Sequence, residues 1–185
     1  MTTLDTVLAF ARQAHAGQMR KFADEPYIQH PIRVMEECRS RNGKLPVLCA
    51  ALLHDVLEDT AVTPAELESF LKNNMPGPEA LHTFELVTDL TDVYVKQAFP
   101  KMNRRTRKSN EKERMTNIHA DAQTVKYADI IDNCRNMATE EPDFAPVFLR
   151  ECKGLLTLMD KGDTVLRDKA MHIVNTELEK LKDRR

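Results

Sequence analysis

Residues 47–53, Val-Leu-Cys-Ala-Ala-Leu-Leu, are apolar at every helical position, and His54 and Asp55 follow directly after them. A run apolar on all faces is not the stripe of a surface helix, so it must occupy the middle of whatever the chain folds into. The spacing predicts a buried central helix from about Pro46 through VLCAALLHDVLED, apolar until its C-terminal turn. That helix carries an imidazole and a carboxylate into the interior. Burying an ionised carboxylate without a partner is expensive, so something must compensate it. A His–Asp hydrogen bond, a salt bridge to a distant Arg, or a bound cation would each serve.

The rest of the pattern is helical from end to end. Only five glycines occur, and no alternating β-branched run suggests a strand. Leu4, Val7, Leu8 and Ala11 recur at helical spacing, with Gly17 placed to stop that helix. A second helix is expected to begin near Pro31 and end near Asn42-Gly43. Thr63-Pro64-Ala65-Glu66 reads as a capping box with proline at the first helical position. The helix from Pro78 is expected to carry Leu81, Phe84, Val87 and Leu90 inward. Residues 95–110 break the periodicity; helical signal returns from about Glu111 and continues through DAQTVKYADIIDNCRNM. Two amphipathic helices, near 145–160 and 163–182, complete an all-α bundle of a single domain over residues 1–185.

Four ionisable groups crowd the end of the central helix. Glu58 lies four residues after His54 and Asp59 four after Asp55, so each pair shares a face one turn apart. Three of the four are acidic; a divalent cation is the simplest way to neutralise them, and a solvated helix end is the alternative. His30 and Asp129 are the remaining candidate ligands. His30 precedes Pro31 at a helix start, and Asp129 sits in the apolar string VKYADII. Two imidazoles and two carboxylates suit Mn²⁺, Fe²⁺, Co²⁺, Ni²⁺ or Zn²⁺ and leave positions open for water and substrate oxygens.

The order H…HD…D resembles the signature of the HD phosphohydrolases. The flanking strings are more specific: Gly17-Gln18-Met19-Arg20-Lys21, Pro26-Tyr27-Ile28-Gln29-His30-Pro31, and Ala50 to Thr60 reading AALLHDVLEDT. Together they resemble the hydrolase domain of the Rel/SpoT proteins and the free-standing small alarmone hydrolases, over roughly Leu4 to Met137. The resemblance implies an HD-domain helical bundle holding one Mn²⁺ on His30, His54, Asp55 and Asp129. It implies that Glu58 and Asp59 activate the attacking water, and that Arg20, Lys21 and Asn133 contact the nucleotide. The implied reaction removes the 3′-diphosphate of (p)ppGpp or an adenosine analogue such as (p)ppApp. An HD-type nucleotidase or dNTP phosphohydrolase acting on 5′ phosphates is the alternative enzyme, and a nucleotide-sensing pocket the non-enzymatic one. Three departures bear on substrate identity rather than on the metal. Asn136 stands where the family commonly has threonine, Lys126-Tyr127-Ala128-Asp129 replaces Lys-Leu-Ala-Asp, and a basic segment covers 101–108.

Five of the eight residues in that segment are Lys or Arg. It reads either as a solvated surface loop or as a phosphate clamp, in which Arg104 and Arg105 bind the substrate's 5′ phosphates. The formal net charge of −2 argues against a general nucleic-acid binder. The four cysteines are scattered, with no C-x-x-C pair, and three lie in apolar stretches that predict reduced, buried thiols. His15 reads as a packing or capping histidine. The N-terminus has no cleavable-signal pattern and no apolar run is long enough to span a bilayer, which predicts a cytoplasmic protein without a membrane partner. A homo-oligomer is compatible with these helices and is not specified by them.

Overall fold

The computed structural model describes residues 2–21, 24–41 and 43–183. Among them the chain forms eleven helical segments and no strand: α1 (Thr3–Ala14), α2 (Gln29–Arg39), α3 (Leu45–Leu53), α4 (Val56–Asp59), α5 (Pro64–Asn74), α6 (Gly77–Leu90), α7 (Arg104–Met115), α8 (Ala120–Cys134), α9 (Met137–Glu140), α10 (Ala145–Leu158) and α11 (Thr164–Asp183). One isolated antiparallel bridge, Met19 to Pro26, pins the loop between α1 and α2.

The apolar run behaves as its composition demands. Every residue from Val47 to Leu53 is buried, and α3 packs against α1, α2, α6 and α8. Burying the Val and Leu side chains contributes about 1.5–3 kcal/mol each, so α3 is a large part of what holds the bundle together. Val7 and Ala11 of α1 are buried, and Gly17 takes a φ of +79°, where a Cβ would be strained. The Thr63–Glu66 capping box forms as expected, with Thr63 N–H donating to Glu66 Oε2 at 2.8 Å. All four cysteines are buried free thiols. No helix is long and apolar enough to cross a membrane.

Several elements differ from the sequence reading. The central helix is not continuous: α3 stops at Leu53, His54 and Asp55 form a turn, and α4 is a single turn. The Ala51 carbonyl accepts a hydrogen bond from His54 Nδ1 at 2.8 Å, so a side chain competes for the acceptors at the end of α3. In α6, Val87 and Leu90 are buried and Phe84 packs half-buried against the core as expected, but Leu81 is 55% exposed and Ala80, Thr83 and Leu86 complete the inward face instead. The basic segment is half helical, since α7 begins at Arg104 rather than near Glu111. Asn103 caps it by accepting from Thr106 N–H at 2.9 Å, and Arg and Lys are good helix formers once a cap nucleates the turn. The helix expected to continue from Glu111 through Met137 is broken at 116–119, where His119 Nδ1 accepts from Asp121 N–H at 3.0 Å and starts α8. α2 ends at Arg39, and Asn42, its expected terminus, lies outside the described residues.

Two of the departures noted in the sequence have local structural explanations, one in the backbone and one in packing. Asn136 has φ +62°, a left-handed conformation that asparagine tolerates and a β-branched threonine does not. Tyr127 is fully buried against the turn between α10 and α11, and Gly162 in that turn leaves room for its ring. A Cβ at Gly162 would fall 2.6 Å from the Tyr127 ring and 2.8 Å from the Thr124 backbone nitrogen. Gly162→Ala is therefore expected to cost about 1–3 kcal/mol in urea unfolding. Adding Tyr127→Leu should recover part of that loss, because it removes one of the two clashes; strict additivity of the two substitutions would disprove the pairing.

Candidate metal centre

Three parts of the bundle aim ligand-type atoms at one point. The first turn of α2 supplies His30, the turn between α3 and α4 supplies His54 and Asp55, and the middle of α8 supplies Asp129. His30 Nε2 lies 3.3 Å from His54 Nε2, 3.1 Å from Asp129 Oδ1 and 3.5 Å from Asp55 Oδ2. His54 Nε2 lies 3.1 Å from Asp55 Oδ2 and 3.7 Å from Asp129 Oδ1. An ion bound at about 2.0–2.2 Å places neighbouring ligand atoms about 3.0–3.5 Å apart, so this spacing fits a first-row divalent cation.

The tautomers point the same way. His54 Nδ1 lies 2.8 Å from the Ala51 carbonyl and His30 Nδ1 lies 2.7 Å from Asp132 Oδ2, so both Nδ1 atoms carry the proton and donate. Both Nε2 atoms then face each other and two carboxylate oxygens, an arrangement that calls for positive charge between them, as a proton on His54 or as a bound cation. Burial opposes charging His54, yet Asp55 and Asp129 hold it well above the usual histidine range. Burial likewise would raise Asp55 and Asp129; His54 holds the first low, and Lys126 with the histidines holds the second low. A second trio, His82, His119 and Asp121, also gathers ligand-type atoms. There His82 Nε2 donates to Asp121 at 3.2 Å and His119 Nδ1 caps α8, so ordinary hydrogen bonds account for that cluster.

A chain of ion pairs braces the centre from behind. Asp132, which receives the His30 proton, also accepts from Arg33 Nε at 2.6 Å, and Arg33 grips Glu25 at 2.7 and 2.9 Å. Burial would raise the Asp132 carboxyl, but His30 and Arg33 bring it down to about 2. None of these three was singled out in the sequence, although Asp132 lies three residues after Asp129 on the same face of α8. Lys126, also unassigned, places Nζ 2.8 Å from Asp129 Oδ2 and stays charged there despite its burial. Tyr27 was read only as a motif letter. Its hydroxyl lies 2.7 Å from Asp55 Oδ2 and 2.8 Å from Asp59 Oδ2, and burial and these two acids together keep its proton in place.

The structure separates the two acids of α4. Asp59 sits with Tyr27, whereas Glu58 faces the other way and accepts from Asp92 N–H. Glu58 is open to the cleft by area but crowded by surrounding protein, and that crowding, helped by Asp92, pushes its carboxyl up to about 7. Arg20 Nη2 donates to Asn133 Oδ1 at 3.0 Å, and Asn133 in turn donates to Asp129 Oδ1, so both lie beside the centre. Lys21 follows Arg20 and is exposed. Arg104 and Arg105 come in from another side. With Glu58, Lys126, Asp129 and Asn133 at one end, they line a cavity of about 700 Å³ between α7, α8 and α10. Arg104 pairs with Glu151 across it, and Lys108 pairs with Asp92 at 3.1 Å.

Comparison with known proteins agrees with this geometry. An HD domain family model matches residues 7–157. The guanosine-3′,5′-bis(diphosphate) 3′-pyrophosphohydrolase MESH1 of Xenopus tropicalis is 34% identical over 72% of the chain and 69% of its own length. The guanosine-3′,5′-bis(diphosphate) 3′-pyrophosphohydrolase of Vibrio cholerae is 31% identical over 92% of the chain, which spans only 22% of that longer protein. A solved metazoan orthologue of SpoT, described as hydrolysing ppGpp, superposes with a TM-score of 0.78 over 95% of the chain and 96% of its own, at 24% identity. That likeness establishes the HD-domain helical fold.

The brace behind His30 yields a measurable expectation. Asp132→Ala should weaken divalent-cation affinity about 10- to 100-fold, as loss of an outer hydrogen-bond partner does in other metal sites. Calorimetric titration with Mn²⁺ measures this directly; unchanged affinity in a folded variant would mean that His30 needs no orientation.

Proposed function

The chain belongs to the HD-domain family, and on that premise we propose that it is a metal-dependent phosphohydrolase that removes the 3′-diphosphate from (p)ppGpp or (p)ppApp. The observation that carries this reading is the convergence of two imidazole Nε2 atoms and two carboxylates, one of which, Asp129, also lines a cavity that Arg104, Arg105 and Lys126 share. Relatives matched over two thirds of their length carry the name of a guanosine-3′,5′-bis(diphosphate) 3′-pyrophosphohydrolase, which supports the substrate class.

In this proposal His30, His54, Asp55 and Asp129 hold Mn²⁺, which when bound supplies Lewis acidity toward water and a phosphoryl oxygen. Glu58, with its carboxyl near neutrality, is suited to take a proton from the attacking water through the oxygen not used by Asp92. Asp59 and Tyr27 hold Asp55 in place from the opposite side. Lys126, lining the cavity beside Asp129, offsets the charge of the departing diphosphate. Arg20, Lys21 and Asn133 position the nucleotide, and Arg104 and Arg105 take its 5′ phosphates. A cytoplasmic setting, where nucleotide and reduced thiols coexist, fits this role.

A panel of ppGpp, ppApp and dNTPs with Mn²⁺ tests the reading by product analysis. Pyrophosphate released from a 3′ position is the expected result, and Asp55→Ala should abolish it. Orthophosphate or tripolyphosphate instead would replace the proposal with a 5′-phosphohydrolase. Reversing both arginines (Arg104→Glu with Arg105→Glu) should raise KM about tenfold or more, the scale of losing charge-assisted hydrogen bonds. An unchanged KM would remove α7 from substrate binding.

A further inference from the structure

His15, which the sequence marks only as a packing or capping histidine, is placed to do more. It follows the last residue of α1 and is 2% exposed. Its Nε2 has no hydrogen-bond partner, the only fully buried side-chain nitrogen or oxygen left so among the described residues. Its Nδ1 lies 2.8 Å from Gln18 Oε1, and Gln18 Nε2 donates to the Asp59 carbonyl at 2.7 Å. A backbone carbonyl only accepts, so the Gln18 amide presents its nitrogen to Asp59 and its oxygen to His15. His15 Nδ1 therefore carries the proton and donates, and Nε2 is left unsatisfied. A buried polar atom in that condition forfeits its hydration without return, a cost that a phenylalanine ring would not incur. What histidine offers here that phenylalanine lacks is the donor at Nδ1.

Two routes lead from His15 toward the metal centre. The first runs through Gln18, whose amide satisfies the Asp59 carbonyl, one of the orphan acceptors at the end of α4. The Asp59 N–H in turn donates to the Asp55 carbonyl at 2.8 Å, so fixing one end of this single turn fixes the other. The second route is the ring itself, stacked on Tyr27 with centroids 4.8 Å apart and planes 25° apart. The Tyr27 hydroxyl reaches both Asp55 and Asp59, so the loop between α1 and α2 grips Asp59 by its carbonyl and by its carboxylate. Backbone bonds close the unit. Gln18 N–H donates to the His15 carbonyl at 3.1 Å, and Tyr27 N–H donates to the Gln18 carbonyl at 2.9 Å.

We propose that His15 is a positioning residue for the metal centre: through Gln18 and Tyr27 it sets the place of α4 and the aim of the Asp55 carboxylate. Its printed contacts are with these two neighbours, so it acts through them rather than on the ion. This role rests on the proposed metal centre and is independent of which nucleotide is cleaved.

The experiment titrates the metal-free full chain and its variants with Mn²⁺ by calorimetry, and melts the same metal-free samples by circular dichroism. His15→Phe keeps a ring against Tyr27 and removes the donor. It should weaken Mn²⁺ binding about tenfold, the lower end of what losing an outer partner does in metal sites, with melting unchanged or raised. His15→Asn keeps a donor near the Nδ1 position and should recover most of that affinity. Gln18→Met breaks the same link from its other end and should cost the same; combined with His15→Phe it should cost no more than either alone. Unchanged Mn²⁺ affinity in the folded His15→Phe chain, or losses that add in the double variant, would overturn the proposal. Where His15→Phe melts below the parent or fails to fold, Gln18→Met decides, since it leaves the ring in place. A tenfold loss of affinity at unchanged melting then supports the brace, and unchanged affinity overturns it. A parent that binds Mn²⁺ but turns over no ppGpp would end the proposed hydrolysis and leave this test intact. A parent that binds no Mn²⁺ would overturn both.

Discussion

Two imidazole Nε2 atoms pointed at each other across 3.3 Å, each with a carboxylate oxygen beside it, set the terms for the whole molecule. Neither histidine can turn away. His54 is tethered through Nδ1 to its own helix and His30 through Nδ1 to Asp132. The point where they meet is negative on balance, and it lies beneath the surface of a bundle whose core is apolar. Such a site holds together only when every surrounding charge has a partner, since an isolated buried ion costs several kcal/mol. The pairs Asp132–Arg33, Arg33–Glu25 and Lys126–Asp129 supply those partners.

The apolar helix α3 makes this placement feasible. Being buried on all sides, it delivers His54 and Asp55 into the interior without exposing backbone, and four neighbouring helices pack around it. The helical relation expected of Asp55 and Asp59 holds across the turn: the Asp59 N–H donates to the Asp55 carbonyl at 2.8 Å, and the Tyr27 hydroxyl joins the two carboxylates. Glu58, one residue earlier, points instead into the cavity, where crowding pushes its carboxyl up.

The parts legible in the sequence were those that local pattern controls: the all-helical architecture, the buried α3, the capping box at Thr63, and His30, His54, Asp55 and Asp129 as residues that meet. Residues that act through tertiary pairing were not. Glu25, Arg33 and Tyr27 are polar letters in a loop and a helix start, and nothing in their spacing says that they reach α4 or α8. Asp132 left a trace, one turn beyond Asp129, but a second acid on a helix is common. The basic start of α7 was obscured because charge density there masks helical periodicity, and its cap Asn103 is a single residue. Leu81 misled for the opposite reason: one apolar residue on a half-polar helix does not determine which face turns inward.

The sequence departures from the family also sort themselves once packing is visible. Tyr127 sits in a slot that Gly162 keeps open, on the face of α8 away from Asp129, so its difference from leucine concerns packing. Asn136 satisfies a left-handed backbone, so its side chain is chosen in part by φ. Neither substitution needs a different nucleotide to explain it. What remains is α7 and its partner α10: a cationic helix start whose Arg104 and Lys108 are held by Glu151 and Asp92. Cations already paired with carboxylates bind phosphate by exchange, giving up one anion for another. Selectivity there then depends on how many negative oxygens the ligand presents, since a ligand with fewer phosphates regains less than the displaced carboxylates gave. Under the proposed function, the number of phosphates, more than the identity of the base, is what such a wall would read.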